Sequence, residues 1–151
     1  GDWVDDKIVY DLLSERLNKM EGDDFILPGA VRDIDQVEML DVALHKINYS
    51  LEKVVLFDLS DDESVRRLSG RRYDAEGNMY HIEFDPPPEG VALEIREDDQ
   101  PEAIRHRIQE FHDTIAPIIE VYEERGILLR VNADRPIEEI HQDLVRRLGN
   151  L

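Results

Sequence analysis

The sequence predicts an α/β fold built on a parallel sheet, and three observations support this class. Short apolar runs typical of buried strands alternate with longer segments whose apolar residues recur at helical spacing. The chain has 151 residues, a length that suits one domain. Hydrophobic residues make up 41% of it, which is enough for a core and too many for a disordered acidic tail.

The first third of the chain predicts two helices and two strands. Apolar residues at helical spacing predict helices over residues 5–20 and 34–47, the first with five aliphatic residues between positions 8 and 17 on its inner face. The apolar run Phe25–Leu27 ends at a Pro-Gly pair, which is typical of a buried strand entering a turn. Lys53–Leu59 predicts another buried strand.

A capping box opens the next helix. Ser60 stands at the N-cap position with Glu63 three residues later, and the helix is expected to run through Leu68. The regular pattern then breaks: we expect two short strands, over residues 72–73 and 80–84, around a Gly-containing turn. Three consecutive prolines follow and impose extended backbone, so this stretch is predicted to be a small insertion.

The last third returns to alternation. A helix is expected from about residue 100 to 124, with Pro101 in its first turn and Pro117 kinking or splitting it. Ile127–Val131 predicts a third buried strand, and Pro136–Leu148 a last helix.

Composition limits the classes of partner. The formal net charge is −18, so the surface repels nucleic acid phosphates and anionic membranes, and neither is an expected partner. The chain has no cysteine, which excludes disulfides and thiolate metal sites. The five histidines show no metal-ligand spacing and are expected to be solvated or capping. With no apolar run of about 20 residues and an acidic first segment, we expect a cytoplasmic protein.

Arginine dominates the basic residues, with fourteen Arg against four Lys. Seven of them flank the insertion: Arg66, Arg67, Arg71, Arg72, Arg96, Arg105 and Arg107. Because Arg binds phosphate through two N–H groups at once, this arrangement favours a lid that closes over phosphates. The alternative is that these guanidinium groups pair with the acids at positions 97–99, and spacing alone does not decide between the two.

Five stretches in chain order carry a more specific pattern. They are Val4-Asp5-Asp6 before a helix; Gly29…Arg32…Gln36; Arg67-Leu68-Ser69-Gly70-Arg71-Arg72 followed by Tyr80-His81…Phe84-Asp85-Pro86-Pro87; Arg96-Glu97-Asp98-Asp99 followed by Arg105-His106-Arg107 and Ala116-Pro117; and Asn132-Ala133-Asp134-Arg135-Pro136-Ile137. In order and spacing this series resembles the adenylate kinase (nucleoside monophosphate kinase) family. The resemblance implies that family's P-loop kinase fold, with a core that includes part of the nucleoside monophosphate-binding region over 1–70, a lid insertion over 71–97 and a C-terminal core over 98–151.

The resemblance also implies a reaction and its site residues. Family members transfer the γ-phosphoryl group of Mg-ATP to AMP and release two ADP, a reaction that depends on positioning and charge neutralisation. It implies Mg²⁺ with ATP. The lid lacks the four metal-ligand cysteines of some members, so we expect it to be zinc-free, and no residue of this chain is assigned as a metal ligand. The implied catalytic residues, which contact phosphates, are Arg71, Arg96 and Arg107. The implied ATP-binding residues are Arg67, which lies over the adenine, Arg71, Met79, Tyr80 and Arg135. The implied AMP-binding residues are Asp2, Trp3, Val4, Gly29, Ala30, Val31, Arg32 at the phosphate, Gln36 at the base, Arg96 and Arg107.

The chain departs from the family pattern in two places. None of its four Lys follows a Gly, so the P-loop motif G-x-x-x-x-G-K-S/T is missing, and the sequence starts after the strand and helix that flank that motif in the family. The three predicted strands are therefore expected to flank a vacant slot with unpaired edges, filled by an N-terminal segment or a complementing chain, unless the sheet has rearranged. In the family's D-G-F-P-R segment, Pro28 replaces the acid that helps hold Mg²⁺, and Ala30 and Val31 replace Phe and Pro. Asp33 stands beside Arg32 and is expected to neutralise part of its charge.

Three hypotheses follow. The first is a kinase to which this chain supplies the lid and part of the AMP site, inactive when alone. The second is a nucleotide-binding module without turnover. The third is an acidic interaction protein whose groove takes a complementing strand.

Overall fold

The computed structural model describes residues 5–19 and 24–149. Within them it has five α-helices and four strands: α1 Asp6–Asn18, α2 Ile34–His45, β1 Val54–Asp58, α3 Asp61–Ser69, β2 Arg71–Tyr73, β3 Met79–His81, α4 Pro101–Glu124, β4 Leu128–Asn132 and α5 Ile137–Leu148, with a 3-10 turn at Glu97–Asp99 before α4. The chain divides into two compact units. The first unit comprises residues 1–55 and 113–129, and the second comprises 56–112 and 130–151.

The strands β1 and β4 form a two-stranded sheet. The amide of Val54 donates to the carbonyl of Ile127 at 3.0 Å, and the amide of Ala133 donates to the carbonyl of Asp58 at 2.8 Å. Both strands therefore advance in the same direction, as two strands joined by a long crossover do. This confirms the predicted α/β class with a parallel sheet, and the bounds of both strands lie within a residue of those predicted.

The first unit is built on two apolar clusters. One is centred on α1 and α2, with Tyr10, Leu17, Leu40, Ala43 and Leu44 as its buried members. The other brings Val37 of α2 against Ile118 and Tyr122 of α4. Each of the first two helices begins at an aspartate whose carboxylate accepts from the backbone two residues on: Asp5 from Lys7 at 2.8 Å and Asp33 from Asp35 at 3.0 Å. These caps explain where α1 and α2 start.

Two predictions about the first unit are wrong. Phe25–Leu27 is not a strand: Phe25 packs on Tyr49 and Leu27 is half-buried, but Ile26 is 90% exposed and the backbone pairs with no neighbour among the described residues. An apolar run therefore supplied side chains to a cluster without the hydrogen-bonding partner that defines a strand. In α1, Ile8, Val9 and Leu12 are exposed, because the buried face of this helix is the one that carries Tyr10 and Leu17.

The second unit confirms the capping box and the hairpin. Ser60 is the N-cap of α3, its hydroxyl accepting from the Glu63 amide at 3.4 Å. Strands β2 and β3 are antiparallel and pair Arg71 with His81, but the second strand stops at position 81 rather than 84. The segment after the hairpin adds only isolated bridges, including Tyr73 with Glu94. The predicted insertion therefore contains one short hairpin and otherwise extended or irregular backbone.

The long helix α4 runs without interruption from position 101 to 124 with Pro117 inside it, so the proline does not split it. Among the residues that the structure describes, no helix is both long enough and apolar enough to cross a membrane.

Candidate active site

In the first unit, the loop at residues 28–32 is held between α1 and α2. Gly29 has φ +62°, a left-handed conformation that other residues rarely adopt, and it turns the chain. The Tyr10 hydroxyl donates to the Ala30 carbonyl at 2.6 Å, and the Gln36 side-chain oxygen accepts from the Arg32 amide at 2.7 Å. The loop backbone is thus held at Ala30 and at Arg32, and the side chain of Arg32 is exposed.

Gln36, which the sequence assigns to the AMP base, has a second contact. Its side-chain nitrogen donates to the Asp6 carboxylate at 2.8 Å, so the amide bridges α1 and the loop. Asp33, expected to neutralise Arg32, uses its carboxylate to cap α2. The candidate residues Asp2, Trp3 and Val4 lie outside the described residues.

In the second unit, one 3-10 turn gathers the three candidate catalytic arginines. Arg96 directly precedes the turn and its guanidinium lies 3.8 Å from the centre of the Tyr73 ring. Arg71 has its Nη1 3.9 Å from Asp99 Oδ1, and Arg107 has its Nη1 3.9 Å from Asp98 Oδ2. The alternative of pairing with local acids therefore holds for two of the three. Both ion-pair distances exceed hydrogen-bond length, but Arg107 Nη1 also donates to the backbone carbonyl of Asp98 at 3.3 Å, which fixes this guanidinium more firmly than that of Arg71.

Asp99 is the buried charged residue among those described. It is 2% exposed, and its Oδ2 has no hydrogen-bond partner in the described part of the chain. A buried carboxylate oxygen without a partner is energetically costly, and here the nearby positive charge is Arg71. The turn therefore places a buried carboxyl group beside one candidate catalytic arginine.

Glu63 connects the arginines at the start of the insertion. It accepts from Arg66 through two hydrogen bonds of 2.7 Å and from Arg67 at 2.7 Å. These bonds, first from Arg66 and then from Arg67, lower the pKa of Glu63 to about 2. Arg66 also pairs with Glu83, and Arg67 donates to the Ala133 carbonyl at 3.0 Å. Arg67 is thus held between α3 and the loop after β4.

His81 fastens the hairpin to α3. Its Nδ1 accepts from the backbone amides of Glu83 and Phe84, both at 3.1 Å, and its Nε2 lies 3.0 Å from the Arg67 carbonyl. Because amides only donate and carbonyls only accept, this geometry requires the neutral ring with its proton on Nε2. The ring also lies so close to Gly70 that a Cβ there would collide with it. The glycine of the Ser-Gly-Arg-Arg motif is therefore required by packing.

The remaining candidate residues of the second unit lie on the hairpin and on the loop after β4. Met79 is 54% exposed, and the Tyr80 hydroxyl donates to Asp74 at 3.2 Å, which ties it to the hairpin turn. Arg135 donates from Nε to the Asn132 carbonyl at 3.0 Å and from Nη2 to Asp143 at 3.1 Å. The resemblance assigns both Arg67 and Arg135 to ATP. Arg67 contacts the loop that follows β4, and Arg135 belongs to that loop.

Comparison with known proteins agrees with this architecture. The family model for adenylate kinase matches residues 1–127. This chain belongs to the adenylate kinase family. The adenylate kinase of Lachnospira eligens is 32% identical over 99% of this chain and 74% of its own length. Those of Acidothermus cellulolyticus and Salinibacter ruber are each 38% identical over 93% of this chain, covering 69% and 68% of their own lengths.

Adenylate kinases are phosphotransferases, and the recognition made from five motifs is thereby confirmed at the level of the family. The assignment of individual residues to ATP and AMP stays a prediction. Within residues 5–19 and 24–149, no group of three or more His, Asp or Glu side chains is arranged to hold a metal ion. The histidines at 106 and 112 instead lie near carboxylates, those of Glu110 and Asp61.

Three residues fix candidate site residues, each within its own unit, although the sequence assigns none of them to that role. Tyr10 anchors the loop of the first unit, Glu63 was interpreted only as a capping residue, and Asp143 was not singled out. A signal was present for two of them: arginines follow Glu63 and Asp143 at positions i+3 and i+4, the spacing at which helical side chains meet. Tyr10 lies 20 residues from its partner and had no local signal.

Proposed function

We propose that this chain supplies the lid and part of the AMP site of an adenylate kinase that converts ATP and AMP into two ADP. The observation that supports this most is the gathering of Arg71, Arg96 and Arg107 at one 3-10 turn. A transferring phosphoryl group spreads negative charge over its oxygens, and several converging guanidinium groups are the counterpart that such chemistry needs.

In the proposed reaction, an oxygen of the AMP phosphate forms a bond to the γ-phosphorus of ATP. The bond between that phosphorus and the β–γ bridging oxygen breaks, and the electron pair stays with the departing ADP. The three arginines neutralise the charge that the two nucleotides bring together, and no covalent enzyme intermediate is required. Mg²⁺ arrives as part of the substrate, the Mg–ATP complex.

The two units contribute different parts of this proposal. Arg32 and Gln36 of the first unit would take the AMP phosphate and base. The region 71–97 would act as the lid, with Met79 and Tyr80 beside the ATP base and with Arg67 and Arg135 at the loop after β4. We propose a cytoplasmic setting, where adenine nucleotides are the substrates.

The P-loop contacts to ATP are proposed to come from a further segment or a complementing chain, because these 151 residues contain no Gly-Lys pair. The same observation, with Pro28 in place of an acid, favours a second candidate: a module that binds nucleotides without turning them over. The two candidates differ in catalysis and agree on nucleotide binding.

The first experiment combines native mass spectrometry of the purified protein with an assay of ADP formation from ATP and AMP. The chain alone is expected to give no appreciable ADP, and addition of a P-loop segment to restore it. ATP binding without turnover in either sample would support the second candidate. A sample that binds no nucleotide in isothermal titration would contradict both and leave an interaction protein.

Arg107→Ala tests the site assignment in the active assembly. Loss of one charge-stabilising donor is expected to lower kcat by about 10²–10³-fold. Arg105→Ala is the matched control, because it removes the same charge from an exposed position of the same helix and is expected to change kcat little. A fall of less than twofold for Arg107→Ala would count against its role.

A further inference from the structure

The guanidinium of Arg135 is held at two points by its own surroundings. Its Nε donates to the Asn132 carbonyl at 3.0 Å, and its Nη2 donates to Asp143 Oδ2 at 3.1 Å. The side chain is 29% exposed, and the carboxylate that it meets is 12% exposed. Charge-assisted hydrogen bonds of this kind, partly shielded from water, hold a side chain in one orientation. Arg135 therefore joins β4 to α5 across the loop between them.

Asp143 is shared by three arginines. Arg146 donates to its Oδ1 at 2.6 Å, and Arg147 Nη1 lies 3.7 Å from its Oδ2. Arg147 also donates to the Arg130 carbonyl on β4 at 2.7 Å. The hydrogen bonds from Arg135 and then Arg146 lower the pKa of Asp143, so it is ionised near neutral pH. One carboxylate on α5 thus pairs with an arginine of the loop and with two arginines of its own helix.

The loop held in this way is the one that contacts the other ATP-side arginine. The Ala133 carbonyl accepts from Arg67, and the Ala133 amide donates to the Asp58 carbonyl at the end of β1. The next amide, that of Asp134, donates to the Asn132 side chain at 2.8 Å. A displacement of Arg135 would therefore move the backbone carbonyl to which Arg67 donates a hydrogen bond.

We propose that Asp143 is a positioning residue for ATP binding, which acts by fixing Arg135 and with it the loop at residues 132–136. The role is distinct from charge neutralisation, because the guanidinium of Arg135 already donates to Asn132 and Asp143. By fixing Arg135, Asp143 gives the loop at residues 132–136 one shape for a nucleotide to bind. This inference rests on the proposed function for its link to ATP, while the fastening of the loop by Asp143 is tested without nucleotide.

The test compares Asp143→Asn with Arg146→Ala. The first variant keeps the shape of the side chain but removes the charge and one acceptor oxygen. The second removes the 78% exposed arginine that donates to the other oxygen of the same carboxylate. Hydrogen exchange of the Ala133 and Asp134 amides is measured on the 151-residue chain. Asp143→Asn is expected to speed this exchange by about tenfold, and Arg146→Ala to leave it within about twofold.

The nucleotide readout uses ATP titration and, in the active assembly, steady-state kinetics. Asp143→Asn is expected to raise KM for ATP by about tenfold with kcat nearly unchanged, which corresponds to one lost charge-assisted contact. Asp143→Glu, which restores the charge, is expected to recover part of the affinity. A purely structural role would lower the unfolding midpoint without this split between KM and kcat.

The outcomes separate the two ideas. Equal exchange rates in Asp143→Asn and Arg146→Ala would overturn the positioning role whatever the nucleotide data show. Faster exchange in Asp143→Asn combined with no ATP binding by the parent chain would reject the proposed function and confine Asp143 to fastening the loop. If Asp143→Asn does not fold, Arg135→Lys, which removes the two-point contact but keeps the charge, is expected to give the same exchange pattern, and normal exchange there would overturn the inference.

Discussion

The two units of this chain are stabilised by different forces. Both apolar clusters found in the described residues belong to the first unit, whereas the second buries few apolar side chains and carries a mesh of arginine–carboxylate contacts. Three of the fourteen arginines, Arg16, Arg32 and Arg125, lie in the first unit, and the other eleven lie in the second. Apolar burial is non-directional, while ion pairs are directional and are weakened by salt screening.

This difference teaches where precision is needed. An apolar cluster stabilises a fold and tolerates small rearrangements of its members. A guanidinium held by hydrogen bonds, as those of Arg67 and Arg135 are, has one orientation, and groups that must bind a charged nucleotide benefit from such orientation. The proposed catalytic arginines lie in the unit that is organised by charge. In the first unit, the described candidate residues lie on the loop at residues 28–32 and on the first turn of α2.

The largest expected effect is in the first unit. Leu44 is 1% exposed at the centre of the cluster between α1 and α2. Leu44→Ala is expected to lower the free energy of unfolding by about 2–5 kcal/mol, through lost burial and the cavity that remains. Urea denaturation measures this loss. Leu12→Ala, at a 61% exposed position of α1, is the control and is expected to change stability by less than about 0.5 kcal/mol. Similar losses for both would refute the assignment of the core.

In the second unit, Gly70→Ala is expected to cost about 1–3 kcal/mol, because the new Cβ collides with the His81 ring. The ring must then leave the amides of Glu83 and Phe84. Thermal unfolding gives the loss, and the double variant Gly70→Ala/His81→Ala identifies its cause. The double variant is expected to be no less stable than His81→Ala alone. Additive losses would mean that the collision is not the reason.

Alkaline pH is expected to lower stability through a tyrosine of the first unit. Burial, followed by the nearby Asp6 and Tyr122, raises the pKa of Tyr10 to about 12. Since the folded pKa lies above the unfolded value, the contribution of the neutral hydroxyl is fully present below pH 10 and is lost between about pH 10 and 12. Tyr10→Phe removes this titration and is expected to flatten the stability profile in that range. Profiles that stay parallel for the parent and variant would rule out Tyr10 as the group responsible.

Acidic pH is expected to lower stability through a glutamate of the second unit, and by a smaller amount. The folded pKa of Glu63, about 2, is below its ordinary value of 4.5, so its contribution is present above pH 4.5 and is lost as the pH falls towards 2. Glu63→Gln is expected to be less stable than the parent at pH 7 and equal to it near pH 2. Glu124→Gln, at an exposed position of α4, is the control for the charge change. A pH-independent difference for Glu63→Gln would show that its bonds to the arginines do not depend on its charge.

Local patterns were sufficient for many elements. Three signals act between near neighbours in sequence: the capping box at Ser60, the apolar runs of β1 and β4, and the Gly-containing turn of the hairpin. Each predicted its element to within a few residues. The five ordered motifs predicted the family, and the family model that matches residues 1–127 confirms it. These are features that short-range geometry or chemistry determines.

Long-range contacts were not predictable in the same way. The apolar pattern of Phe25–Leu27 is compatible with a strand and with an extended loop, and only the presence of a hydrogen-bonding neighbour distinguishes the two. The aliphatic residues of α1 marked a helix, but which of its faces is buried depended on where α2 lies.

The sequence by itself determined the family, the α/β class, most helix boundaries and the concentration of arginine around the insertion, because each depends on residue type and local spacing. Only the tertiary structure decided what those arginines touch. Arg67 donates to the Ala133 carbonyl and Arg135 donates to Asp143 because the folded backbone brings these groups together, and a guanidinium bonds to whichever acceptor lies within about 3 Å of it.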